Sequence, residues 1–409
     1  MIPNYKKTLI ACYLGYITQA IVVNLTPLFF VIFQTNYNIS YTQIGSIVLF
    51  TFIIQMMVDL VMVKLLPKIG YRACAIAAHI CSVIGLVLLG ILPLIMPSYI
   101  GILISVFFYS IGGGLIEVII SPIVDSLPGD AKASGMSLLH SFYSWGQMLV
   151  VLVSTLILKI IGDNLWNYIP FLWALLPLIN TFNFVKVPLI PISQEQKQSS
   201  AIGFLKSPVF IISFLTMICS GASELAMSQW ASLFAEQGLG VSKVMGDLLG
   251  PCLFAVFMGI GRTLYGIKGD KINLEAALLS CAGLTVVCYL VTVFVNIPAI
   301  ALLGCAVCGL GVSLMWPGML SYTSYKYNYN AGPVMFGLLA LGGDIGCSIG
   351  PWLTGKVSDL YIAFNHSNVS VENLSNSAIK AGLLAAIIFP MAMIVLIIIM
   401  KNLRTKKKV

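Results

Sequence analysis

Long apolar stretches follow one another along nearly the whole chain, separated by short polar breaks, and acidic or basic residues enter them at only a few positions. Twelve stretches stand out, near 8–34, 42–66, 73–95, 99–126, 134–160 and 166–187, then near 207–234, 243–267, 273–295, 299–322, 331–354 and 378–400. A helix of about 20 apolar residues crosses a hydrocarbon core about 30 Å thick, and these stretches are at least that long. Hydrophobic residues make up 59% and charged residues 9% of the chain, against about 45–50% and about 25% in soluble domains. Apolar and polar residues do not alternate, which argues against a β-barrel. The expected fold class is an all-α polytopic membrane protein with 12 transmembrane helices in two pseudo-symmetric six-helix bundles.

The one long polar break near the middle, residues 188–206, reads as a cytoplasmic linker between an N-terminal bundle at 1–187 and a C-terminal bundle at 207–409, which ends in a basic tail. Basic residues near helix ends stay on the cytoplasmic side. With both termini cytoplasmic, 17 Lys and Arg residues fall inside and four, Lys159, Lys243, Lys356 and Lys380, outside, with Arg262 within a span. The net charge of +8 is therefore a topology signal and not a nucleic-acid footprint. The tail from Lys401 to Val409 is placed against anionic headgroups. Localisation is expected at the plasma (inner) membrane, as a monomer. The ten cysteines lie almost entirely within spans, and Cys305 and Cys308 read as buried thiols, with no metal or redox site and no cofactor expected. Asn38, Asn365, Asn368 and Asn373 begin Asn-x-Ser/Thr sequences in expected outer loops.

The halves carry a weak repeat. Leu138, Leu139 and Gly146 in the fifth span fall 200 positions before Leu338, Leu339 and Gly346 in the eleventh. Spans four and ten share a glycine cluster followed by a proline, Gly112, Gly113, Gly114 and Pro122 against Gly309, Gly311 and Pro317. Basic turns, Pro67 to Arg72 and Lys268 to Lys271, follow spans two and eight. Two parallel repeats with a site between them are a transporter plan. The chain resembles the major facilitator superfamily over essentially its whole length. Lys68, Gly70 and Arg72 match that family's loop signature between helices 2 and 3, and Gly261, Arg262, Gly266, Gly269, Asp270 and Lys271 match its second-half copy. More narrowly, Gly112, Gly113, Gly114 and Glu117, with Gly221, Glu224 and Trp230, resemble the fucose permease-like branch of sugar:proton symporters. Where that branch carries an acidic residue in helix 1, this chain offers Gln19 and Asn24.

Charges inside spans are costly and mark function or pairing. Glu117 and Glu224 are the candidate proton-coupling residues. Glu224 heads a polar face with Ser220 and Ser228, and the fifth span carries His140, Tyr143, Ser144 and Gln147 on one side. Hydroxyl, amide and imidazole groups beside a flat ring suit a sugar-like solute. The candidate substrate-binding set is His140, Tyr143, Ser144, Gln147, Glu224, Gln229, Trp230, Trp316, Gln19 and Asn24. Thr51, Gln55 and Asp59 form a polar line on the second span. Asp59, Arg262 and Asp344 are assigned to a structural charge pair or gate, with Arg262 expected to pair with Asp344. No P-loop or hydrolytic carboxylate pair is present in the sequence, so the chain is not read as an enzyme. It reads as a secondary active transporter that moves a small polar organic solute such as a sugar by proton symport, its halves rocking to give alternating access. The alternative is a proton-coupled drug or metabolite exporter of the same fold.

Overall fold

The computed structural model describes residues 5–127, 131–190, 206–268, 273–326, 333–365 and 371–403. Most of the expected linker, the Gly269–Lys271 turn, Asn368 and the end of the basic tail lie outside these residues. Twelve helices follow in order: α1 (Tyr5–Tyr37), α2 (Tyr41–Ile69), α3 (Tyr71–Ile95), α4 (Ser98–Ser126), α5 (Ala131–Ile161) and α6 (Asp163–Lys186), then α7 (Pro208–Gly238), α8 (Lys243–Tyr265), α9 (Leu274–Phe294), α10 (Pro298–Lys326), α11 (Pro333–Asn365) and α12 (Leu374–Asn402). Among the described residues, all of these except α11 are long and apolar enough to cross a membrane. The helix α11 is 33 residues long but carries Asp344, Lys356 and Asp359 along with many glycines. Exposed Ile, Leu, Val and Phe side chains cover much of the surface, as lipid-facing helices require. The protein is a multi-pass integral membrane protein.

Local chemistry sets several details. Pro27, which lacks an amide hydrogen, sits in a tighter 3₁₀ turn, Thr26–Phe29, that interrupts α1. Ser40 caps α2 in a reciprocal box with Gln43. Between Leu248 and Cys252 the helix α8 widens into a π turn around Pro251.

By internal contacts the chain forms two compact units, one of residues 1–194 with 243–248, the other of residues 195–242 with 249–409. The same packing scheme appears within each. In the first unit α1 packs on α5, α2 on α4, and α3 on both α4 and α6; in the second α7 packs on α11, α8 on α10, and α9 on both α10 and α12. The repeat seen in the sequence marks these crossings. Gly146 of α5 lies against Ile17 and Ala20 of α1, and Gly346 of α11 lies against Ile218 and Ala222 of α7. Lipid tails give helices no hydrophobic drive to associate, so small residues that admit close backbone contact supply the packing. Gly346 is the tighter of the two, because a β-carbon there would run into the Ile218 carbonyl oxygen.

Candidate functional site

Within the first unit, α1, α2, α4 and α5 bring polar side chains together. Asn24 donates from Nδ2 to the Ala20 carbonyl at 3.0 Å and to the Tyr143 hydroxyl at 3.3 Å. One and a half turns earlier, Gln19 points its amide at α4. A β-carbon on Gly113 would lie 2.5 Å from Gln55 Nε2 and 2.8 Å from Gln19 Oε1, so the two amides meet over that glycine. Gln55 is wholly buried and Gln19 is 7% exposed. Neither Gln55 amide atom, nor Gln19 Oε1, nor the buried Ser110 hydroxyl has a hydrogen-bond partner. Asp59 follows Gln55 by one turn on α2, and half-buried Glu117 follows Gly113 by one turn on α4.

The expected stripe on α5 turns largely toward α1. His140 is exposed and meets the Tyr16 ring edge-on at 5.5 Å between centroids, while the Tyr16 hydroxyl is 2.9 Å from that of Ser121. Tyr143 is held by Asn24, and Ser144 and Gln147 are buried. Two of the four therefore sit against an adjoining helix, and the structure joins Tyr143 to Asn24, which was proposed independently from span 1.

In the second unit, Arg262 Nη2 lies 3.3 Å from Glu224 Oε1 and 3.2 Å from Oε2, joining α8 to α7. The sequence reading paired Arg262 with Asp344; the carboxylate seen against this nitrogen is that of Glu224. Asp344 is buried on α11, beside Gly343, whose missing side chain makes room for the Trp316 ring. Trp230 is fully buried and donates from Nε1 to the Pro351 carbonyl at 3.1 Å. Gln229 is buried beside it on the same helix. The indoles of Trp230 and Trp316 thus both pack against α11. Ser220, one turn before Glu224, has a buried hydroxyl with no partner.

Three polar groups were passed over in the sequence. His79 of α3 is fully buried, with Nδ1 2.7 Å from the Ala75 carbonyl and Nε2 2.9 Å from Asn180 Nδ2 of α6. The neutral ring therefore donates at Nδ1 and accepts at Nε2. Asn180 donates further to the Ala11 carbonyl at 3.0 Å and accepts from Asn183 at 3.1 Å. Arg72 caps the end of α6, donating to the Phe184, Val185 and Val187 carbonyls at 2.6, 2.5 and 2.9 Å. Lys243 donates to the Leu28 carbonyl at 2.7 Å and pairs with Asp247 at 3.3 Å, and the Thr155 hydroxyl donates to the buried Asp247 carboxylate at 2.8 Å. A polar residue deep in an apolar span was the available signal for His79 and Asn180. For Lys243, at a span end, the basic character was read as topology, and for Arg72 as topology and as part of the loop signature.

The sequence matches the family model of the Major Facilitator Superfamily over residues 12–351. No curated protein sequence matches it significantly. Among solved structures it is similar to a D-xylose-proton symporter, at 14% identity and a TM-score of 0.78 over 99% of each chain. It is also similar to a bacterial homologue of the human lysosomal transporter Spinster, at 14% identity and 0.76 over 98% of each chain. The E. coli fucose:proton symporter aligns at 16% identity and 0.64, over 98% of this chain and 100% of its own. At such identities the likeness is one of fold.

Proposed function

The chain belongs to the Major Facilitator Superfamily, and on that premise we propose that it is a secondary active transporter moving a small, neutral, polar organic solute, a sugar being the leading class, in symport with protons. The observation that carries this reading is the meeting of Gln19 and Gln55 at Gly113, together with the Asn24–Tyr143 hydrogen bond within the same helical unit. Amides and a phenol offer donors and acceptors without net charge, which matches a polyhydroxyl solute and disfavours an organic ion. The described neighbours that transport xylose and fucose with protons support the same class.

In this proposal Glu117 takes up and releases the proton. It stands one helical turn from the amide cluster, near enough for solute binding and protonation to influence each other. Glu224 is the second candidate, but both its oxygens face Arg262, so its ion pair must part before it carries a proton. Transport follows alternating access, the site opening to one side of the membrane at a time. The excess of Lys and Arg on one side of the spans supports a topology with both termini in the cytoplasm, and the plasma (inner) membrane is the proposed site of action.

Uptake into proteoliposomes with an imposed pH gradient, screened over sugars, nucleosides, amino acids and common drugs, tests the reading. A neutral sugar should accumulate against its gradient and collapse with the pH difference. Glu117→Gln should abolish accumulation while leaving solute exchange measurable; equal loss of both in folded protein removes Glu117 from the coupling role.

A further inference from the structure

Three consecutive glycines on α4 serve three different neighbours, and one of them is not explained by packing. Gly112 admits α3, since a β-carbon there would strike the Ser82 hydroxyl and the Ala78 carbonyl. Gly114 admits α2 through the Gln55 backbone and Val58. Gly113 faces no backbone. What meets it are three side chains, the amide tips Gln55 Nε2 and Gln19 Oε1 nearest and the Val22 methyl behind them. A bundle that needed only close packing would fill this place with methyl groups, which in a membrane interior cost nothing to bury. Instead it holds two carboxamides, both more than nine-tenths buried, with three of their four polar atoms unbonded. Buried amides without partners are unfavourable, and such groups call for a partner that is not part of the chain.

We infer that Gln19 and Gln55 form a clasp for one hydroxyl group of the transported solute, a subsite that reaches onto α2. This rests on the reading of the protein as a carrier of neutral polar solutes and narrows it. A hydroxyl both donates and accepts, so it can give its proton to Gln19 Oε1 while taking one from Gln55 Nε2. Turning both amides over leaves one donor and one acceptor still on offer. A carboxylate would meet acceptor oxygens, and an ammonium would meet an amide donor, so either charged group is served less well. Ser110, one turn before Gly113 with its hydroxyl also unbonded, supplies a further group of the same kind. A water molecule resident in the fold has the same chemistry, and the experiment separates the two.

The full-length protein is reconstituted, and counterflow of D-xylose, L-fucose, D-glucose and uridine is compared with that of each one's monodeoxy analogues, for the native chain, Gln55→Met and Gln19→Met. For the native chain one deoxy position should lower transport efficiency about 10- to 100-fold, the penalty of leaving a buried amide pair unsatisfied. In Gln55→Met the parent sugar should fall to the level of that analogue, and the two should become indistinguishable. Melting of the same variants in detergent should be unchanged or raised, because each loses an unbonded polar group. If Gln55→Met discriminates at every hydroxyl as the native chain does, the clasp is wrong while the transport reading stands. If both Met variants melt markedly lower, the amides hold a resident water and the clasp is again overturned. Counterflow of none of the four probes overturns the transport reading and the clasp together.

Discussion

The Arg262–Glu224 pair is the interaction whose removal should be felt most. Its side chains are only 12% and 8% exposed, and one guanidinium nitrogen spans both carboxylate oxygens. Two unit charges at about 3.2 Å attract by about 5 kcal/mol at an effective dielectric of about 20. Much of that is offset by the cost of desolvating both, so the pair adds little net stability, while removing one partner strands the other. Arg262→Met should therefore cost about 3–5 kcal/mol, and Glu224→Gln a similar amount. In the double variant neither partner strands the other, and the total loss should fall below that of either single change, an interaction energy of at least about 3 kcal/mol. Unfolding by SDS in mixed micelles, followed by circular dichroism for the four proteins, measures the cycle. Losses that add to within about 0.5 kcal/mol, the behaviour of independent sites, would refute the pairing.

The equivalent glycines should differ in tolerance: Gly346→Ala forces a methyl onto a backbone carbonyl and should cost about 1–3 kcal/mol, whereas Gly146→Ala meets chiefly the Ala20 methyl and should cost less, as read from the same micelle titration. Equal costs would show that the backbone approach at Gly346 is not limiting. Arg72→Lys should lose about 1–2 kcal/mol, because a single ammonium cannot fork over three carbonyls, and amide exchange should quicken at the end of α6; native-like exchange in that variant would exclude the cap. None of the ten cysteines forms a disulfide, so a reducing agent should leave gel mobility and melting unchanged, and a shift of either would reveal one.

What was legible in the sequence was what the hydrocarbon dictates. Every residue that faces lipid must be apolar and every backbone group must bond within its own helix, so span number and helical class can be read directly from the chain. The Gly146 and Gly346 match was visible as a repeat, and the fold gives its reason, since both sit where the first and fifth helices of a bundle cross. Pairing was much less legible. That Arg262 reaches Glu224 depends on the rotation of α8 against α7, and no spacing along the chain encodes that angle. Gln55 was seen in a line with Thr51 and Asp59, yet only the fold brings Gln19 to it from α1. His79 and Asn180 each stood as a polar residue in an apolar span, but at 101 positions apart nothing along the chain joins them.

The glycine run on α4 has a mechanical consequence. Residues 112, 113 and 114 point in directions about 100° apart around the helix axis, and each is matched to a different surface, α3, the amide pair and α2. A swivel of α4 by a single residue step would drive bulk into all three at once. That turn therefore cannot act as a bearing: any motion during a transport cycle must carry α2, α3 and this part of α4 together as one rigid block, and the pivots must lie elsewhere along the chain.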